Sequence, residues 1–221
     1  MADVRVEKLR YRYGRHPVLK GIDLTVSDGE CRVLFGANGS GKSTLLSILA
    51  TRRRPRHGSY LLDGAVVIDD PELARSRLLY LGHDSHLYTH LTPLENLRFF
   101  SDLRRLRPSD AQLLEVVEKA GLARFAHRPV RSFSAGMKKR LALSRTLLVQ
   151  PRLLLLDEPD SALDQQGIDW LNTLLIDYLN QGGTVIMASH SPERVAALPY
   201  TGHRMENGIL AQAVQSELLP C

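Results

Sequence analysis

The sequence predicts an α/β fold whose core is a mixed β-sheet, with an antiparallel β flank near the amino terminus and an inserted helical subdomain. Four nearly uninterrupted apolar runs are typical of parallel strands that are covered on both faces. The runs are CRVLF, LLYLG, LLLLD and TVIMAS. Helix-like stretches separate them, which favours a sheet wound with crossover helices.

The antiparallel flank is predicted by an alternating pattern and by a turn. Early in the chain apolar residues alternate with polar ones, which is the period of half-exposed strands. These apolar residues are Val4, Val6, Ile22, Leu24 and Val26. Farther on, Asp63-Gly64 lies between the segments SYLL and AVVI and is a hairpin-turn signal. We therefore expect antiparallel strands in this part of the chain.

The helical subdomain is predicted between about residues 84 and 150, where strand signals vanish. Thr92-Pro93-Leu94-Glu95 fits a capping box with proline at the first helical position. Ser109-Asp110-Ala111-Gln112 fits a second capping box, and Gly121 fits a helix end. No repeat or low-complexity linker interrupts the chain. We therefore expect residues 1–221 to form a single domain that carries this insertion.

Composition favours a packed globular protein without a membrane span. Of the 221 residues, 43% are hydrophobic and 24% are charged, so a folded interior is expected rather than disorder. No apolar run approaches the roughly 18–20 residues needed to cross a bilayer. The opening MADVRVEKLR lacks the apolar stretch of a secretory signal. Because Cys31 and Cys221 offer no disulfide framework, we expect a cytoplasmic protein with a peripheral membrane role.

The charge balance is modestly basic. A net charge of +5 suits nucleic acid, an anionic membrane face or nucleotide phosphates. The densest basic run comprises Arg52, Arg53, Arg54 and Arg56 around Pro55. Such a run is typical of a solvated surface turn, and no aromatic residues interleave it. We therefore expect no nucleic-acid partner.

The motif with the most specific chemistry is a glycine-rich loop between the strand CRVLF and an amphipathic helix. It reads Gly36-Ala37-Asn38-Gly39-Ser40-Gly41-Lys42-Ser43-Thr44. Its glycines let successive backbone N–H groups turn toward phosphate oxygens, and the helix N-terminus adds a favourable dipole. We expect Lys42 to neutralise the β- and γ-phosphates of ATP and Ser43 to offer its hydroxyl to Mg²⁺. A chance glycine-rich turn would lack this strand-before, helix-after context.

Two acids and a histidine are expected to complete an ATPase site. The strand LLLLD ends in Asp157, followed by Glu158, at the carboxyl end where ligands sit in open α/β sheets. Asp157 suits Mg²⁺, whereas Glu158 can orient and deprotonate the attacking water. His190 follows the run TVIMAS and, paired with Glu158, can contact the γ-phosphate or hold that water. The alternatives are solvated acids at a strand end and a capping or core histidine.

The order of these motifs resembles the nucleotide-binding subunits of ATP-binding-cassette (ABC) proteins over nearly the whole chain. The diagnostic element is Ser132-Phe133-Ser134-Ala135-Gly136-Met137, similar to the family's signature loop, ahead of a basic helix. The resemblance implies that Ser134 and the backbone near Gly136 hold the γ-phosphate of ATP on an opposite subunit. It also implies a partner cassette, so a homodimer, and separate integral membrane permease subunits. Ser161-Ala162-Leu163-Asp164 resembles the family's dimer-contacting loop.

The resemblance also bears on Tyr13, for which it implies a role, and on Met137, which departs from the family pattern. Tyr13 falls where the family stacks an aromatic ring on adenine, with Tyr11 as the competing choice and strand packing as the plain alternative. Met137 stands where the signature usually has glutamine or glutamate. Because a thioether donates and accepts hydrogen bonds poorly, we expect one contact fewer across the nucleotide sandwich.

One branch of the family is similar to this chain in further sequence segments. The segments Leu81-Gly82-His83, 91–97 and 156–167 are similar to the heme-exporter ATPases of bacterial cytochrome c maturation. That resemblance implies heme export or handling in cytochrome c biogenesis. The alternatives are an exporter of a drug, lipid or peptide, and a soluble ABC ATPase that acts on nucleic acid or ribosomes. The nearby histidines His83, His86 and His90 are expected to be loop residues rather than a metal or heme site.

His83 generates a testable prediction about pH. The family's glutamine at the start of the helical subdomain is replaced here by His83, or by Asp84 under a one-residue shift. Because histidine side chains in general titrate near neutrality, we expect ATP turnover to fall as His83 becomes protonated. The measurement is the pH–rate profile of the protein and of His83→Gln. Identical profiles would contradict a catalytic role for this histidine.

Overall fold

The computed structural model describes residues 3–213, so Cys221 lies outside the described residues. In chain order the strands are β1 Val4–Tyr13, β2 His16–Val26, β3 Cys31–Phe35, β4 His57–Leu62, β5 Ala65–Val66, β6 Leu78–Leu81, β7 Leu153–Asp157, β8 Thr184–Ala188, β9 Tyr200–Glu206 and β10 Ile209–Gln212. The α-helices are α1 Lys42–Leu49, α2 Pro71–Arg77, α3 Pro93–Leu103, α4 Asp110–Lys119, α5 Ala135–Leu143, α6 Arg145–Val149 and α7 Gln165–Asn180. Among residues 3–213, none of the helices combines the length and apolarity that a membrane span requires.

The larger sheet has the strand order β10-β9-β3-β8-β7-β6. Strands β9, β3, β8, β7 and β6 pair in parallel, and β10 pairs with β9 in the antiparallel sense. Every residue of β7 and β8 is buried, as expected for central strands covered on both faces. The four apolar runs therefore form strands, which confirms that part of the prediction. The β9–β10 hairpin has no such run and was not predicted.

The smaller sheet is antiparallel, with the order β2-β1-β4-β5. Its buried face carries the alternating apolar residues of the amino-terminal segment, so this prediction is confirmed. Asp63 and Gly64 join β4 to β5 with φ angles of +54° and +76°. Two successive left-handed residues form the type of turn that matches the natural twist of a hairpin.

The chain folds into two compact units. Of the described residues, the first comprises 3–82, Pro151–Glu158 and 172–213, and it contains both sheets. The second comprises His83–Gln150 and Pro159–Leu171, and it contains helices α3 to α6. The insertion expected at about residues 84–150 thus gains a further segment after β7. That the whole chain is a single domain stays a prediction.

The second unit is organised by helix caps and a small apolar core. Both expected capping boxes are present: Thr92 begins α3 and Ser109 begins α4. Each cap satisfies backbone N–H groups that the first helical turn leaves without partners. Gly121, with a φ of +71°, follows the end of α4 as expected. The core side chains with at most 1% exposure include Leu97, Leu113, Val117, Leu122 and Leu141.

Candidate functional site

The glycine-rich loop connects β3 to α1 and depends on backbone that other residues cannot adopt. Gly36 and Gly41 have φ angles of +152° and +115°. A Cβ atom at Gly36 would lie 2.2 Å from the carbonyl oxygen of Met205, and one at Gly41 would lie 2.9 Å from Leu19 Cδ2. Gly41 also caps α1 without any side-chain hydrogen bond. The first N–H groups of this helix therefore remain available to an anion.

Lys42 is held inside the loop. Its side chain is buried, and its Nζ donates hydrogen bonds to the carbonyl oxygens of Gly36 (2.7 Å) and Ala37 (3.1 Å). Burial lowers the pKa of Lys42, and the carboxylates of Glu158 and Asp157 offset part of this effect. The ammonium group of Lys42 therefore donates to neutral carbonyl oxygens. A charged phosphate oxygen would be a stronger acceptor than either of them.

Ser43 and Asp157 come together at the start of α1. The Ser43 hydroxyl donates to Asp157 Oδ1 at 3.0 Å, and the Tyr80 hydroxyl donates to Oδ2 at 3.5 Å. Burial raises the pKa of Asp157, whereas the Ser43 hydrogen bond lowers it. One hydroxyl and one carboxylate beside a phosphate cradle fit Mg²⁺, which takes few protein oxygens and completes its shell with phosphate and water. Residues 3–213 contain no cluster of three or more His, Cys, Asp or Glu side chains that could hold a metal ion.

Glu158 and His190 form a close pair at neighbouring strand ends. Glu158 Oε1 lies 2.6 Å from His190 Nε2, and the Glu158 N–H donates to the Ala188 carbonyl oxygen at 3.1 Å. Glu158 adopts a left-handed backbone with φ of +52°, which turns the chain as it leaves β7. Both side chains are partly exposed, at 24% for Glu158 and 40% for His190. The carboxylate is therefore oriented and still accessible to water.

A hollow of about 690 Å³ borders the loop. Its lining residues are Phe35, Gly36, Ala37, Asn38, Gly39, Ser40, His190, Pro192, Arg204, Met205, Glu206 and Asn207. The structure thus brings His190 to the same hollow as the loop, as the sequence predicts. Arg204 to Asn207 were missed, because the hairpin that carries them has no motif. The Met205 carbonyl oxygen packs against Gly36 and leaves no room there for a side chain.

The expected signature residues lie in the second unit. Ser134 caps α5, and its hydroxyl oxygen accepts a hydrogen bond from the Met137 N–H at 3.2 Å. A hydroxyl that accepts in this way still has its proton to donate. A Cβ atom at Gly136 would lie 3.0 Å from the Ala162 carbonyl oxygen, so glycine permits close approach of the segment 161–164. The Met137 side chain packs against the apolar core of this unit.

The two tyrosines near the amino terminus differ in accessibility. Tyr13 is 40% exposed, whereas Tyr11 is half-buried and packs against the core. Their ring centroids are 5.1 Å apart in an edge-to-face arrangement. Arg53 lies over the Tyr13 ring at 4.8 Å, and its Nη1 donates to the Tyr11 hydroxyl at 3.4 Å. Arg53 is thus exposed, as expected of a surface turn, but it also contacts aromatic rings, which the sequence did not indicate.

Comparison with known proteins decides the family. The family model described as "ABC transporter" matches residues 19–161, which is more than half of the chain. The chain belongs to the ABC transporter ATPase family. The "Cytochrome c biogenesis ATP-binding export protein CcmA" of Escherichia coli O157:H7 is 37% identical over 197 residues, covering 89% of this chain and 93% of that protein. CcmA of Escherichia coli strain K12 is 39% identical over 180 residues, covering 81% and 84% of the two chains.

Solved structures agree with this ABC assignment. The "Structure of ATP binding subunit of ABC transporter" superposes with a TM-score of 0.87 at 26% identity, covering 97% of this chain and 91% of that one. A dimeric ATP-binding cassette in a post-hydrolysis state, bound to ADP and Pi, superposes with a TM-score of 0.84 at 26% identity, covering 95% and 98%. The predicted ABC fold and ATPase class are confirmed, and the chain is an ATP-binding subunit.

The cradle at Gly36 predicts a local effect of substitution. Gly36→Ala should weaken ATP binding by about tenfold or more, because the new Cβ forces the loop away from the Met205 carbonyl. Gly182→Ala is the matched control, since Gly182 also has a positive φ of +83° but has no atom within 4 Å of the added Cβ. Both variants should unfold at lower temperature, and only Gly36→Ala should lose affinity in a nucleotide titration. Equal affinities in the two variants would show that the loop tolerates the added atom.

Proposed function

We propose that the chain binds MgATP at the loop Gly36–Thr44 and hydrolyses it to drive export through separate membrane subunits. The observation that carries this proposal is the arrangement at the strand ends: Ser43 against Asp157, and Glu158 against His190. In this proposal the chain pairs with a second cassette and lies on the cytoplasmic face of the cell membrane. The dimeric relative bound to ADP and Pi supports the pairing.

Binding of the triphosphate begins with groups that the loop already presents. Lys42 exchanges its two carbonyl partners for β- and γ-phosphate oxygens, which are charged and therefore stronger acceptors. The uncapped N–H groups of α1 and the loop backbone donate to the same phosphates. Ser43 and Asp157 would hold Mg²⁺, which when bound supplies positive charge beside the phosphates. Burial of Lys42 strengthens its attraction for the phosphate charge.

Hydrolysis is assigned to Glu158 and His190. Glu158 orients the attacking water and accepts its proton, while His190 fixes the carboxylate through the 2.6 Å contact. His190 can also donate to the γ-phosphate when Glu158 turns to the water. Lys42 and His190 then stabilise the negative charge on the transferring phosphoryl group.

The remaining assignments complete the nucleotide site. Tyr13 is proposed to stack on adenine, since its ring is the more exposed of the two and Tyr11 is held by core packing. Arg53 lies over one face of the Tyr13 ring, so adenine would take the other face or replace Arg53. Ser134 and the backbone near Gly136 are proposed to contact the γ-phosphate bound by the second cassette. The free hydroxyl proton of Ser134 suits that role.

Contact with the membrane subunits is proposed to run through the segment His83 to Tyr88. Arg145 shapes this segment, since its guanidinium donates to the carbonyl oxygens of Ser85 (3.1 Å) and His86 (3.0 Å). Tyr88 is 53% exposed and meets Phe99 edge-to-face at 4.7 Å. An exposed aromatic pair beside a backbone held in this way is suited to a protein contact. His83, or Asp84, would report the nucleotide state to it.

The proposed cargo is heme, for cytochrome c biogenesis. Its support is the pair of CcmA relatives, whose names give cytochrome c biogenesis and export. Another exporter is the alternative within the family, because substrate choice lies in the membrane subunits. A soluble ATPase that acts on nucleic acid is the alternative outside transport, and RNA-stimulated turnover would favour it.

The role of Glu158 predicts a separation of binding from turnover. Glu158→Gln should lower ATP hydrolysis by about 100-fold or more, because the amide cannot accept the proton of the attacking water. ATP affinity should be retained, and the protein should accumulate as a closed dimer in size-exclusion chromatography with MgATP. Glu193→Gln, at an exposed carboxylate, is the control and should keep its turnover. Unchanged hydrolysis in Glu158→Gln would remove Glu158 from the role of base.

The transport assignment predicts specific partners. Purification in mild detergent followed by mass spectrometry should recover two heme-handling membrane subunits with this chain. The same purification with Lys42→Ala tests whether capture needs nucleotide binding. Recovery of the chain without membrane proteins would contradict the transporter role. Recovery with membrane subunits of another exporter would contradict the heme branch alone.

A further inference from the structure

The smaller sheet carries a second concave feature, whose lining shares Tyr11, the alternative adenine contact, with the proposed nucleotide site. A cleft of about 660 Å³ is lined by Arg10, Tyr11, Arg12, Pro17, Leu19, Lys20, Arg56 and His57. We call it the basic cleft and define it by Arg10, Arg12, Lys20, Arg56 and His57. Within the described part of the chain, its lining includes four permanent cations and no carboxylate.

Strand register forces these cations together. In the pairing of β1 with β2, Arg10 faces Lys20, and in the pairing of β1 with β4, Arg10 faces His57. The Arg56 N–H also donates to the Arg10 carbonyl oxygen at 3.0 Å, which fixes Arg56 beside the same strand. Like charges at directly facing positions destabilise a sheet. The facing pair Arg10 and Lys20 is therefore costly to the folded protein unless an anion neutralises it.

The rest of this sheet does not share the imbalance. Nearer the start of β1, Arg5 Nε lies 2.7 Å from Glu7 Oε1, and the Ser59 hydroxyl donates to Glu7 Oε2 at 3.4 Å. The backbone N–H of Lys8 donates to Asp23 Oδ1 at 2.8 Å, which places a further carboxylate in this part of the sheet. No carboxylate lines the cleft itself, and Glu7 lines the adjoining hollow together with Arg10 and His57. The excess of positive charge is local rather than a result of the chain's net charge of +5.

The shape of the cleft indicates the kind of anion. Its volume lies in the range of about 300–1,000 Å³ that is usual for small-molecule sites, and four permanent cations are among its lining residues. Arginine recognises phosphate through paired N–H donors, and three arginines line this space. A membrane surface would instead favour a flat basic face flanked by apolar anchors. We propose that the basic cleft binds a compact, multiply charged phosphate anion, separately from the site of ATP hydrolysis.

The proposal is tested by titration calorimetry with myo-inositol hexakisphosphate as the probe. The double variant Arg10→Gln/Lys20→Gln should bind the probe about tenfold or more weakly, because it removes two charge-assisted donors. The matched control is Arg75→Gln/Arg107→Gln, which removes two exposed arginines elsewhere and should change affinity less than about twofold. ATP affinity and turnover should be unchanged in both double variants, so a failure here leaves the proposed ATPase function standing.

Two further readouts make the proposal falsifiable. Relief of the repulsion between Arg10 and Lys20 should raise the melting temperature of Arg10→Gln by roughly 1–3 °C at low salt, whereas loss of a structural contact would lower it. Vesicles of phosphatidylglycerol distinguish a lipid headgroup from a soluble phosphate. Binding of the soluble probe that depends on Arg10 and Lys20 supports the proposal. Equal loss in the control variant, absence of soluble binding, or capture by vesicles alone would overturn it.

Discussion

The whole site depends on the parallel register of three strands. Leu34 of β3 pairs with Ala188 of β8, and Ala188 pairs with Asp157 of β7. These three strands therefore end at one edge, and the residues that follow each of them meet there. A slip of one residue would turn every side chain of a strand to the opposite face, so the apolar packing of the sheet also fixes the site. The core brings the strand ends together, and the contacts of Ser43 with Asp157 and of His190 with Glu158 then orient the side chains.

Electrostatics at this edge are set before any nucleotide arrives. Lys42 and Asp157 are both buried, and burial weakens the charged form of each, lowering one pKa and raising the other. The opposite charge of each group partly offsets the effect of burial on the pKa of the other. Such a pair is costly in isolation, and a triphosphate tail with its cation adds the charges that balance it. Part of the free energy needed to organise the site is therefore already included in the folding of the protein, as the burial of these two charged groups.

Sequence reasoning predicted what depends on local pattern. The glycine loop, the acids after LLLLD and both capping boxes follow from residue types at fixed spacing, and no long-range contact is needed to recognise them. It failed where tertiary contact decides. The backbone carbonyl of Met205, which any residue would supply, packs against Gly36. Arg53 meets Tyr13 only because the turn between α1 and β4 folds against β1. The second unit also includes residues 159–171, which join it through packing. The sequence places the insertion only by the change from strand signals to helix signals, and that change does not reveal packing. For the individual site residues, the structure gives positions and contacts, and their roles stay proposals.

The left-handed backbone of Glu158 has a consequence for how this position can vary. Residues branched at Cβ are poorly tolerated at a φ of +52°, and unbranched side chains adopt it at a cost of about 1–2 kcal/mol. Valine, isoleucine and threonine are thereby disfavoured at this position before any question of reactivity arises. Asparagine, aspartate and glycine are the residues that the backbone itself would prefer. The glutamate therefore adopts an unfavourable backbone conformation in order to place its carboxylate. Substitution by aspartate would shorten the side chain that carries the carboxylate, and substitution by asparagine or glycine would remove the carboxylate.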